Sequence, residues 1–321
     1  MSAETQQSAS EATAAGPAPI ALRAHLQLLV TVTLWGSGFV VSKRAVDDVP
    51  HSVAALVRFG SAAVILLAGL PLFLRSRARL RRAEIRPLLI AGLLGTFAYN
   101  ALLFFGLSRA PAIDGTIIIP VLSPVLTTAA ALLLGWEKAD RLRTVGLAAG
   151  AAGAVLFLWG VTGQPGFDSR RLAGEVAYVL ATAAWSAYTL VGKKILKDVE
   201  PFKATAYSMA FGAVFLAVLA VPDLGKVAWS GLHGSFYGTM TYLVLAPTVV
   251  AYGLFYVGVR AVGPTTASVM MFIVPVSGTI LSRVLLHESV SAWQAAGSVA
   301  MLGGAVLATV GPALRAARSR P

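Results

Sequence analysis

The side chains here with chemistry to offer are polar and aromatic groups embedded in apolar stretches: Trp35, Ser37, Tyr99, Asn100, Ser123, Trp185, Tyr188, Tyr252 and Tyr256. Their chemistry is recognition, because an indole or phenol presents a flat apolar face with one polar atom that wants a partner. An amide in hydrocarbon must likewise find partners or face water, which makes Asn100 the most telling of the set. These residues are expected to line a cavity for a small solute, the alternatives being helix-packing aromatics and an interhelical tie through Asn100. Arg58 is a charge inside an apolar span, about two turns from its end. It either attracts a carboxylate of the cargo or pairs with Asp114, and the pair is favoured because arginine rarely stays unpaired and can snorkel near a membrane face. Glu137 and Glu288 precede two later helices. Such acids, like Asp140 and Ser291 nearby, are expected to accept from free N–H groups and complement the positive helix end; proton coupling is the alternative.

Other chemistries have no residues to carry them. Cysteine is absent and none of the four histidines pairs with another at ligand spacing. No metal site or cofactor is expected. The HExxH, GxSxG and Walker-type patterns are missing in usable context, so the chain does not read as an enzyme. No acid is expected at mid-membrane, which leaves proton coupling through a buried carboxylate unsupported.

The elements that must position the polar set are membrane helices. Hydrophobic residues make up 57% of the 321-residue chain and charged residues only 12%, and the mean hydropathy is +0.75, far from a soluble domain. Stretches long enough to cross a bilayer as helices number ten, near 24–43, 52–74, 87–108, 114–135, 142–160, 172–192, 204–222, 234–258, 265–286 and 292–312. Pro120 and Pro124 fall inside the fourth span and Pro275 inside the ninth, where a missing N–H frees the carbonyl four residues earlier, giving a hinge, a cavity-lining break or a packing kink. Gly146, Gly150 and Gly153, with Gly297, Gly303 and Gly304, allow close backbone approach, so helices five and ten read as scaffold or as the contact of a homodimer. The cavity walls are then expected from helices one, three, four, six, eight and nine. Residues 1–20 form a polar tail without the pattern of a signal peptide, and 313–321 a basic one.

The chain is also written twice. Arg109, Pro124, Glu137, Gly146 and Gly153 recur 151 positions later as Arg260, Pro275, Glu288, Gly297 and Gly304, and Trp35 and Lys43 recur 150 positions later as Trp185 and Lys193. The repeats span 21–161 and 172–312, joined by an external linker at 162–171. The formal charge of +12 does not point to nucleic acid, because basic residues are spread between apolar runs. Arg75 to Arg86, Lys138, Arg141, Arg143, Lys193, Lys194, Lys197, Lys203 and the C-terminal arginines concentrate on one side, which places both termini in the cytoplasm. Five helices per copy is odd, so the second copy enters the membrane inverted, a transporter signature.

Leu34-Trp35-Gly36-Ser37-Gly38-Phe39, Ser42-Lys43, Arg58-Phe59, the run from Pro120 through Pro124 to Trp136-Glu137, and the second-half Trp185 to Lys193, Pro275 and Leu286-His287-Glu288 together carry a family resemblance. Over residues 24–312 the chain resembles an EamA-type member of the drug/metabolite transporter superfamily. The resemblance implies an all-α membrane protein of ten helices in two inverted repeats, sited in the bacterial inner membrane, with a central cavity and small organic cargo; many relatives export amino acids or related metabolites. The expected activity is secondary transport by alternating access of an amino acid or similar neutral or zwitterionic solute, in the export direction. The alternatives are a gated channel or receptor for a small solute and a drug-efflux carrier.

Overall fold

The computed structural model describes residues 18–74, 79–136, 141–164, 166–262 and 270–309, and for some helical residues, Lys193, Lys194, Tyr256 and Arg260 among them, the backbone alone. Glu137, Asp140, residues 1–17 and the C-terminal tail lie outside the described residues, and 18–20 of the expected N-terminal tail are helical. Among these residues the secondary structure is helical throughout. We label the helices α1 (Ala18–Asp48), α2 (His51–Leu74), α3 (Arg82–Leu107), α4 (Ala112–Leu133), α5 (Arg141–Thr162), α6 (Ser169–Ile195), α7 (Pro201–Leu224), α8 (residues 234–262), α9 (Ile273–Leu286) and α10 (Ala292–Thr309).

Among the described residues seven helices are long and apolar enough to cross a membrane, while α9 and α10 are shorter and apolar. The polar residues Glu175, Trp185, Ser186 and Tyr188 dilute the apolar run of α6. One hydrophobic cluster draws buried residues from both halves, including Val32, Phe59, Phe104, Ile118, Tyr178, Leu216 and Met301. The outer faces are apolar as well: Leu72 is 81% exposed, Leu133 89% and Val299 72%. Helices that are apolar inside and out have a hydrocarbon solvent and not water, so this is a multi-pass membrane protein.

Exchange of the two halves maps the helix contacts onto themselves. α1 packs on α9 as α6 packs on α4, and α1 packs on α8 as α6 packs on α3. The counterparts α2 and α7 meet each other, and so do α5 and α10, the most extensive pair. Glycines set the α5–α10 approach. A Cβ on Gly146 would lie 2.7 Å from Gly304 O, and one on Gly153 2.8 Å from Gly297 O; reciprocally, a Cβ on Gly297 would lie 2.7 Å from Gly153 O and one on Gly304 2.5 Å from Gly146 O. Rising numbers in α5 meet falling numbers in α10, so the pair is antiparallel. Gly150 instead faces Val125 of α4, and a Cβ on Gly303 would meet nothing; Gly303 therefore has no part in the close approach expected of it.

Backbone irregularities occur at different places from those the prolines suggested. α4 continues as α-helix through Pro120 and Pro124, since a membrane helix tolerates proline when its neighbours hold the turn. A break does occur before Pro275. Pro275 has no N–H for the Met271 carbonyl, Val274 N takes that carbonyl at 3.0 Å, and Met271–Phe272 become a turn ahead of α9. α9 runs from Ile273 to Leu286, inside the expected span 265–286, whose first residues lie among 263–269, outside the described set. Two further irregularities were not anticipated: π-helical turns at Gly92–Ala98 in α3 and Leu245–Val250 in α8, at corresponding points of the two halves.

Candidate functional site

The π turns explain how the polar side chains reach the centre. Pro247 in α8 lacks the N–H that would bond the Leu243 carbonyl, and the Thr248 hydroxyl donates to that carbonyl instead, at 2.8 Å. Its oxygen keeps a free lone pair, which accepts from Arg58 Nε at 3.2 Å. In α3 the Asn100 amide plays the matching part, with Nδ2 donating to the carbonyls of Thr96 at 2.8 Å and Gly95 at 3.4 Å. Side chains in the wider register satisfy carbonyls that an α-helix would pair by itself, and they do so beside the cavity.

That cavity lies between the halves and measures about 100 Å³, several times what one water needs. Trp35, Gly38 and Phe39 of α1, Arg58 and Phe59 of α2, Tyr99 and Asn100 of α3, and Pro120 of α4 line it from the first half. Trp185 of α6, Pro247 and Tyr252 of α8, Met271 and Val274 close it from the second. Two aromatic groups face each other across it. Trp35 sits edge-on to Tyr252 at 5.6 Å between ring centres and 4.9 Å from Phe255, and Trp185 lies 5.0 Å from Tyr99 and 5.3 Å from Tyr188. The tryptophans belong to corresponding helices, so the repeat supplies one wall to each side.

Five of the nine expected cavity residues are at its surface: Trp35, Tyr99, Asn100, Trp185 and Tyr252. Ser37, Ser123 and Tyr188 are elsewhere. The Ser37 hydroxyl shares a hydrogen bond with Tyr242 at 2.7 Å, Ser186 donates to the Ser123 carbonyl at 3.2 Å, and the Tyr188 ring packs against Gly95. The Tyr256 side chain lies outside the described residues. α2 also contributes to the wall, which the sequence pattern did not suggest, and Pro247 and Met271 were missed because a proline or methionine carries no polar signal.

Arg58 does not pair with Asp114. It is 7% exposed, its Nη1 donates to Ser42 Oγ at 2.9 Å, and its guanidinium lies 4.8 Å from the Phe59 ring centre. Asp114 is committed elsewhere, at one end of the bundle, where it accepts from Arg171 Nη2 at 3.0 Å and from Gln294 Nε2 at 2.7 Å. Sequence reasoning missed this network, although it joins α4, α6 and α10. Arg171 also bonds Gln164 at 3.2 Å and approaches Glu175 at 3.7 Å, so one cation serves two buried carboxylates. Glu175, 1% exposed, falls within the expected sixth span but near its start. Gln294 belongs to a capping box in which Ser291 N donates to its Oε1 at 3.0 Å and its own N–H donates to Ser291 Oγ at 3.2 Å.

Glu288 is a cap, but of the wrong helix for the local expectation. Its carboxylate accepts from Ala112 N at 2.9 Å and Ile113 N at 2.8 Å and from the Ser282 hydroxyl, so an acid of the second half closes the N-terminus of α4 in the first. At the other end Lys203 bonds Glu84 at 2.6 Å and the Arg79 carbonyl at 2.7 Å, tying α7 to α3. Among the described residues no group of three or more His, Asp or Glu is placed to hold a metal ion.

A helical membrane protein whose two like halves line one aromatic cavity has the build of a membrane transporter. The profile of the EamA-like transporter family matches it twice, over residues 22–159 and 172–310, and the chain belongs to that family. It is 24% identical over 296 residues to YyaM of Bacillus subtilis, described as an uncharacterized transporter, covering 90% of this chain and 94% of that protein. An uncharacterized transporter of Archaeoglobus fulgidus is 25% identical, covering 89% and 97%. The uncharacterized inner membrane transporter YedA of Escherichia coli K12 is 25% identical, covering 88% and 90%. A protein of known crystal structure shares the fold with a TM-score of 0.64 at 21% identity, over 93% of this chain and 99% of that one. Family and relatives are transporters and not enzymes.

Proposed function

We propose that the protein is a secondary transporter that moves a small organic metabolite, an amino acid or similar solute, across the inner membrane by alternating access, in the export direction. In this proposal the two repeats are inverted relative to each other, ten helices cross the bilayer and both termini are cytoplasmic. The cavity lined by both halves carries the proposal, because a site between two like halves changes its opening when they exchange conformations. Few formal charges and many rings suit a small solute with an apolar body and suit a phosphate ester poorly, since that would call for several cations.

Purified protein in liposomes should show saturable flux that unlabelled cargo competes. Flux that rises linearly with concentration at channel rates would refute a carrier.

The break at Met271–Phe272 gives the cycle a place to bend. Pro275→Ala supplies an N–H that can take the Met271 carbonyl from Val274 N, so the helix can run on and draw Met271 off the cavity wall. Transport should fall several-fold with membrane abundance kept; a parallel loss of both would reduce Pro275 to a packing residue.

A further inference from the structure

We propose that the groove between α3 and α6 on the outer face of the bundle binds one anionic phospholipid, an acyl chain lying along the groove and the phosphate held by Arg109 and Arg170. The site is separate from the central cavity and needs nothing of the proposed cargo or cycle.

Shape and length say what fits. The groove measures about 580 Å³, where Ala101, Ala173 and Ala177 stand between larger apolar neighbours. Leu172, Val176 and Leu180 along its rim are about half exposed, so it opens sideways to the hydrocarbon. Along α6 its lining runs from Ser169 to Leu180, about 16 Å at the helical rise. That is one leaflet of a hydrocarbon core roughly 30 Å thick. Farther along, the Tyr188 ring packs against Gly95 and the two helices close up. A helix of a second copy would need a face continuing through both leaflets, whereas one acyl chain does not. His51 of α2 and Leu219 of α7 reach the groove as well, so its occupant touches both repeats.

Charge at the mouth is an independent observation. The Arg109 guanidinium lies 4.0 Å from the centre of the Phe105 ring, which lines the groove, and His51 meets the same ring edge-on at 5.4 Å. Arg170 follows the lining residue Ser169, and its Nη2 donates to the Ser108 carbonyl at 3.2 Å, which brings a second guanidinium to the turn that carries Arg109. Among the described residues neither arginine pairs with a carboxylate. The acids of the neighbouring helix ends are engaged: Asp168 accepts from Arg171 N at 2.7 Å, and Asp223 pairs with Lys226 at 2.6 Å. Two guanidinium forks without a protein counter-charge suit a phosphate, whose oxygens accept from both. With no unengaged acid beside them to receive a headgroup ammonium, a net-anionic head is preferred to a zwitterionic one. Arg109 is also among the residues that the sequence writes twice, and the central cavity gives it no part.

The test uses the full chain, purified in detergent and stripped of lipid. Phosphatidylglycerol, phosphatidylcholine, diacylglycerol and inorganic phosphate are added separately, and bound lipid is read by native mass spectrometry alongside the melting temperature. Phosphatidylglycerol should bind at least fivefold more tightly than phosphatidylcholine, diacylglycerol should be weaker still, and phosphate alone should not stabilise. A phosphatidylglycerol with a diazirine on its acyl chain should crosslink within 101–105 and 172–180. Arg109→Gln combined with Arg170→Gln should level the two phospholipids, while Ala173→Phe, which fills the groove, should weaken both at least fivefold. The wild-type lipid series and the crosslink map decide even where a variant fails to fold. Equal binding of the two phospholipids, or crosslinks scattered over the outer face, would overturn the inference. So would stabilisation by phosphate alone to the extent seen with phosphatidylglycerol, which would make this an anion site without a chain. Crosslinks between two copies through 172–180 in place of lipid would make the face a dimer contact and overturn it too. No outcome depends on flux, so the transporter proposal stands or falls separately.

Discussion

Gly304→Ala should lower the melting temperature of the purified protein by roughly 10 °C, while Gly303→Ala, one residue away, should leave it unchanged or raise it slightly. A methyl on Gly304 would stand 2.5 Å from Gly146 O and closer still to Gly150 N, both backbone atoms of α5. Backbone cannot rotate aside as a side chain can, so the antiparallel pair must part along its length. That parting also loosens the reciprocal contacts at Gly146, Gly153 and Gly297, and overpacking of this kind costs about 3 kcal/mol. A Cβ on Gly303 meets nothing within reach, and there alanine gains helix propensity over glycine. Equal melting of the two variants, followed in detergent by intrinsic fluorescence, would show that the close approach does not hold α5 to α10.

Arg171→Met should be the most damaging single change at the end of the bundle, where Asp114, Glu175 and Gln294 meet. Asp114 is fully buried and Glu175 nearly so, and Arg171 is the cation that both of them contact. Its removal leaves two buried carboxyl groups without their cation in a low-dielectric site, a loss of about 3–5 kcal/mol, which reads as a fall of roughly 10 °C or more in melting temperature. Glu175→Gln should be mild by comparison. It removes one of the two competing carboxylates and retains the shape, while the short bonds from Asp114 to Arg171 at 3.0 Å and to Gln294 at 2.7 Å persist. Should Glu175→Gln melt as low as Arg171→Met, the charge imbalance would not be what the cluster resolves.

Much of this molecule was legible in the residues. Trp35 and Trp185 stood out as aromatics at mid-span of apolar stretches, where lining a cavity and packing between helices were the two readings, and both line the cavity. Asn100 stood out for the same reason, an amide in hydrocarbon. Glu288 was legible as a cap by its position before a helix, but which helix it caps depends on a fold that carries α4 of the other half to it. The pairing of Arg58 was misjudged because distance along the sequence does not say which of several hydroxyls and acids a guanidinium reaches. The network around Asp114 was invisible, since Gln164, Arg171, Glu175 and Gln294 each look like ordinary helix-end polar residues until three helices converge.

By itself the sequence determined the solvent and the repeat. Transfer of apolar residues out of water is a sum over composition, and the 151-position echo of charged and proline residues does not depend on where any helix packs. Tertiary structure alone decided which polar atoms face one another. Pro247 frees a carbonyl, Thr248 satisfies it and so becomes free to accept from Arg58, a chain of consequences that passes between two helices far apart in sequence. The same holds for what was left unpaired. Oδ1 of Asn100 accepts from nothing among the described residues because packing brought no donor to it, and hydrogen bonding is short-ranged and directional where the hydrophobic effect is not.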